Sequence, residues 1–69
     1  MNVETQIGEM ARRTLIALGS RGEMAPLELE MTIDASPQLL DFALGWLVRN
    51  DKVEILTEDL GARVRLKFD

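Results

Sequence analysis

The chain has 69 residues, 46% of them hydrophobic and 29% charged, which is the profile of one small globular domain rather than two domains or a disordered segment. It contains neither Cys nor His, which excludes disulfides, His/Cys zinc sites, haem ligation by these residues and catalysis built on either side chain. Eight basic residues stand against twelve acidic ones, a net charge of −4, whereas a nucleic-acid module ordinarily carries a basic excess.

A core of this size supplies only a few kcal/mol of net stability. With disulfides and His/Cys metal sites gone, the remaining remedies are an efficient helix-rich core and self-association. The N-terminus has no basic stretch followed by an apolar one, and no apolar run is long enough to span a membrane. The default expectation is a soluble cytoplasmic protein.

The first element is a helix over about Val3–Leu18. Ile7, Met10, Ala11, Leu15 and Leu18 recur at spacings of three and four along one face. Asn2 can cap its start, Glu4 complements the helix dipole, and Glu9 and Arg13 form a favourable i,i+4 pair. Gly19 is the expected left-handed stop.

Glu23-Met24 reads as a strand of two or three residues. Pro26 then suits the first turn of a helix, and Leu27–Met31 continue it for about two turns. Their alternation of apolar and acidic residues also fits a strand, but the Leu/Glu/Met propensities favour helix. Ile33-Asp34-Ala35 is the expected turn.

Ser36-Pro37 opens the third helix, which runs to about Asn50. At 100° per residue its apolar side chains, Phe42, Trp46 and Val48 among them, cover an arc of roughly 240°, far wider than an ordinary surface helix shows. The expectation is a helix contacted from several sides. Only Gln38, Asp41, Gly45 and Arg49 remain outside that arc. Gly45 weakens a helix interior by about 1 kcal/mol relative to Ala, which points to close approach by another backbone or a ligand.

The last element is a hairpin of two period-two strands, about 52–57 and 62–68, joined by a four-residue turn, Glu58–Gly61. Pairing Thr57 with Ala62 puts Ile55 opposite Val64 and Val53 opposite Leu66, on one side with Phe68. Glu54 then faces Arg65 on the other side, beside Lys52, Arg63 and Lys67. A slip of one residue destroys this match.

This order predicts an α+β winged helix-turn-helix of three helices and a small antiparallel sheet (α-β-α-α-β-β). A single domain would span residues 1–69, with the helix-turn-helix unit over about 26–50 and the wing over about 52–68. Ile7, Met10, Leu15, Leu18, Leu29, Leu40, Ala43, Leu44, Leu47, Val53, Ile55, Val64, Leu66 and Phe68 form the expected core.

Gly22-Glu23-Met24, Ala43-Leu44-Gly45-Trp46-Leu47, Asn50-Asp51-Lys52-Val53 and Ile7-Gly8-Glu9-Met10 also carry a resemblance. Over nearly the whole chain it resembles the small bacterial and archaeal winged helix-turn-helix domain family of unknown function, and the Leu-Gly-Trp-Leu segment is its most specific part. The resemblance implies a fold and no activity, so no functional residue is carried over. Pro26 departs from the family's pattern.

No catalytic constellation is visible. Ser20 and Ser36 lack an imidazole base, the glycines have no phosphate-loop spacing, and Glu28/Glu30 and Glu58-Asp59 lack the spacing of a calcium loop. Neither a metal, a cofactor nor a small-molecule substrate is expected.

Winged helices commonly place the second helix of the unit in the major groove. Here Gln38 can read adenine and Arg49 guanine or phosphate. Residues 23–51, however, hold six carboxylates against Arg49 alone, a balance of −5 on the segment that would dock. The wing's outer face is the exception. Lys52, Arg63, Arg65 and Lys67 there, against Glu54, can lie along a nucleic acid or an acidic protein, or be a solvated strand face that discourages edge pairing. Lys52 and Lys67 would be cross-strand neighbours, a repulsion that an anionic partner relieves.

Phe42 and Trp46 are expected first as ordinary core, packed under the wing or against the first helix, and in the alternative as a partly exposed anchor for another protein. Leu56, facing outward, and Leu60, at the wing tip, add to such a surface. A protein partner or a second copy is therefore the first expectation, and DNA the second.

Overall fold

The computed structural model describes residues 2–59 and 61–68. Among these, α1 (Val3–Arg21), α2 (Pro26–Ile33) and α3 (Pro37–Arg49) precede an antiparallel ribbon of β1 (Val53–Glu58) and β2 (Gly61–Leu66). The three helices enclose the core and the base of the ribbon closes it.

The Asn2 side chain accepts the Thr5 N–H at 2.8 Å, which caps α1 as expected. The helix does not stop at Gly19. The left-handed region is reached three residues later, at Gly22 (φ 81°), whose N–H donates to the Leu18 carbonyl at 2.8 Å. The inner face is also turned from the one expected. Ala11, Thr14, Ala17 and Leu18 are buried, while Ile7, Met10 and Leu15 pack half-buried beside them. Thr14 tolerates full burial because its hydroxyl donates to the Met10 carbonyl at 2.8 Å.

Met24 forms a one-residue bridge to Val64. Its N–H donates to the Val64 carbonyl at 2.9 Å and its carbonyl accepts the Val64 N–H at 2.7 Å. This is the expected short strand in minimal form. It also buries Met24, a core residue that no periodicity indicated.

α2 is longer than expected because Ile33, assigned to the turn from sequence, is its last residue and is buried with Leu29. The Ala25 N–H donates to the Glu28 carboxylate at 2.8 Å at its start. Asp34, at φ 55°, ends it and begins the turn into α3. There Ser36 accepts the Leu39 N–H at 3.2 Å and Pro37 occupies the first turn.

Leu40, Ala43, Leu44 and Leu47 line the inner face of α3 and are buried. The expectation that this helix is covered from several sides is overturned. Phe42, Trp46 and Val48 are exposed, because α1, α2 and the base of β1 all meet α3 from the inner side. The expectation of a close approach at Gly45 also fails within the chain, since a Cβ built there meets no atom within 4 Å.

The hairpin has the expected register, with Val53 opposite Leu66, Glu54 opposite Arg65, Ile55 opposite Val64 and Thr57 opposite Ala62. Glu58 pairs with Gly61 as well, so the turn is shorter than the four residues expected. Only the base of the ribbon reaches the core. Val53 and Val64 are buried and Leu66 is half-buried, but Ile55 is exposed and Phe68 is 83% exposed. Neither is a core residue. Ile55 lies where the ribbon has left the helices behind, and Phe68 follows the last cross-strand bond, from the Lys67 N–H to the Lys52 carbonyl at 3.0 Å.

Candidate functional site

The outer face of α3 is set by the helical period. With residues 40, 43, 44 and 47 inward, Gln38, Asp41, Phe42, Gly45, Val48 and Arg49 point away from the core, and all six are exposed. Phe42 is 57% exposed and Trp46, on the flank, 48%. The expectation that this aromatic pair is core is thereby overturned, because α1, α2 and the base of β1 meet α3 from its other side. Trp46 borders a shallow groove whose other wall is Glu4, Ile7 and Gly8 of α1.

The wing cations do not form a free positive track. Arg63 reaches back over the bridge, with its guanidinium 3.4 Å from the Glu23 carboxylate, 4.0 Å from that of Glu28 and 3.3 Å from the Glu23 carbonyl. Arg65 pairs across the strands with Glu54 at 3.0 Å. Lys67 meets Asp51 at 2.9 Å, so the cross-strand repulsion from Lys52 is already countered within the chain. Leu56, expected to face outward, is half-buried, with Arg63 directly across from it. Leu60 lies outside the described residues.

On α1, Glu9 accepts from Arg12 at 2.8 Å and from Arg13 at 3.0 Å. The hydrogen bond from Arg12, then that from Arg13, holds its carboxyl below the usual range. Of the eight basic residues, Arg21, Arg49 and Lys52 are thus without an ion pair among the described residues. Gln38, Asp41 and Arg49 make no side-chain hydrogen bond or ion pair among them either. Arg49 alone of the cations stands on the outer face of α3. The structure therefore brings Gln38, Phe42, Trp46 and Arg49 to one helix, and it leaves Arg63, Arg65 and Lys67 on separate carboxylates.

Sequence reasoning missed the exposure of Leu27 and Met31 on α2. Their i,i+4 spacing, alternating with inward Leu29 and Ile33, was the available signal. No group of three carboxylates among the described residues is placed to hold a metal ion. No helix among them is long and apolar enough to cross a membrane.

Three helices in this order, a bridge from the α1–α2 link to β2, and a terminal ribbon define a winged helix-turn-helix domain. The chain belongs to the winged helix-turn-helix domain family DUF2582, which it matches over residues 1–66. It is similar to the solution NMR structure of protein BT2368 from Bacteroides thetaiotaomicron, with a TM-score of 0.81 and 24% identity, over 91% of this chain and 77% of that one. At that identity the likeness shows the fold. Comparison with curated proteins gives no match.

Proposed function

We propose that this domain is a non-catalytic interaction module that binds protein through the outer face of α3. The observation that carries the reading is the exposed aromatic pair, Phe42 and Trp46, on the face a DNA-binding winged helix would turn toward the groove. Aromatic side chains are enriched at the centres of protein interfaces. The electrostatics favour the same reading. Phosphate contacts need available cations, and Arg63, Arg65 and Lys67 already face Glu23, Glu54 and Asp51. Asp41 adds a negative charge on the face itself.

The second reading is a DNA-binding regulator that uses Arg49, Lys52 and the wing. It draws on the fold and on Arg49 and Lys52, which have no carboxylate partner among the described residues. Titration with mixed-sequence duplex DNA at low salt separates the readings, because non-specific phosphate attraction is strongest there. The expected result is no displacement of the amide signals of Gln38, Arg49, Lys52, Arg63, Arg65 and Lys67. Shifts concentrated on α3 and the wing would replace the protein-binding reading with the DNA-binding one.

A further inference from the structure

The outer face of α3 is complementary to itself. Asp41 precedes Gly45 by four residues and Arg49 follows it by four. All three are exposed, and neither charge has a partner among the described residues. We propose that this face pairs with the same face of a second copy of the chain. The two α3 helices run antiparallel and cross at Gly45, and Asp41 of each copy meets Arg49 of the other. The proposal rests on the protein-binding reading above and names the protein.

Asp41, Gly45 and Arg49 form one i±4 ridge. The commonest class of helix packing, with a crossing angle of about −50°, aligns the i±4 ridges of both partners. When the ridges run in opposite directions about a two-fold axis, the acidic end of each lies beside the basic end of the other, so two ion pairs form from one arrangement. Two copies in parallel would put Asp41 on Asp41 and Arg49 on Arg49.

Gly45 is at the centre, where the backbones come closest and a side chain would hold them apart. Space there is open on the solvent side, since a Cβ would meet nothing within 4 Å. The two-fold axis keeps each flank of the ridge on its own side. Phe42 and Trp46 of both copies therefore gather on one flank, and the two Val48 side chains on the other. Each of these is exposed in the single chain.

A contact centred on a helix of 13 residues is small. It stands near the low end of specific interfaces, about 1,000 Å² in total. The dimer is accordingly weak, and the net charge of −4 on each copy weakens it further unless salt screens the repulsion.

The test is sedimentation equilibrium and dilution of amide spectra on the full chain, at about 0.15 M salt, where the Debye length is ~8 Å, and up to about 1 mM protein, the concentration scale of very weak binding. The wild-type chain should dimerise reversibly, with concentration-dependent shifts at residues 41–49. Asp41→Arg and Arg49→Asp place like charges together twice per dimer and should each weaken it about tenfold or more. An equimolar mixture of the two variants restores both pairs in a heterodimer and should associate as the wild type does. That recovery also shows that both variants are folded.

A wild-type chain that is monomeric at 1 mM, a dimer indifferent to Asp41→Arg, or a mixture that does not recover overturns the proposal. If the same chain is silent toward duplex DNA, only self-pairing is lost and protein binding stands. Displacement of the α3 amides by DNA removes both.

Discussion

Replacing Gly45 by Ala should change stability and self-association in opposite directions. Gly45 lies in the interior of α3, exposed, and an added Cβ contacts nothing within 4 Å. The substitution therefore creates no clash in the folded chain, and what remains is backbone entropy. Ala is favoured over Gly in a helix interior by about 0.8–1.0 kcal/mol. In a domain of this length 1 kcal/mol moves Tm by about 4–8 °C. Thermal and urea melts followed by circular dichroism should show that gain with an unchanged m-value, because the surface exposed on unfolding is the same. The melts belong at a few micromolar, as a general precaution against linkage to association. At the helix crossing the same methyl group separates two backbones, so the dimer should weaken while the monomer is strengthened. A Gly45→Ala chain that melts lower at low concentration would mean that something packs on Gly45 within the monomer, and the description of the outer face would be wrong.

Leu47 is fully buried on the inner face of α3, and Leu47→Ala should cost about 2–5 kcal/mol, most of the stability of so small a domain; an unchanged urea midpoint would refute the core assignment. Arg63→Ala should cost less than about 1 kcal/mol, because its contacts with Glu23 and Glu28 lie between partly exposed groups; a larger loss in the same melt would show that the guanidinium holds the bridge at Met24 in place. The pH dependence should carry a signature of Glu9. Its folded pKa is lowered by Arg12 and Arg13, so its contribution is present above the ordinary Glu pKa of about 4.3 and is lost as pH falls through the folded value. Glu9→Gln should therefore lower Tm slightly at neutral pH and flatten its fall on acidification, and parallel wild-type and variant curves would contradict that ion pair.

Much of this molecule was legible in the order of its residues, wherever local chemistry and periodicity act alone. Asn2 and Ser36 cap because short polar side chains reach the free N–H groups of a first turn. The wing register followed from the two-residue period, since any odd shift would turn Val53 and Val64 to solvent. The inner stripe of α3 followed from the 3.6-residue period, and so did the outward position of Gln38, Asp41, Gly45 and Arg49. What tertiary structure alone decided is which apolar side chains lack a neighbour. Phe42, Trp46, Ile55 and Phe68 have the same composition as a core, but two helices and the base of the ribbon cover α3 from one side only and leave the ribbon's far end standing free. Charge partners were hidden for a similar reason. Arg63 and Glu23 are forty residues apart, and only the bridge between Met24 and Val64 sets them side by side. Sequence counts charges, but the fold determines which of them water and a partner can still reach.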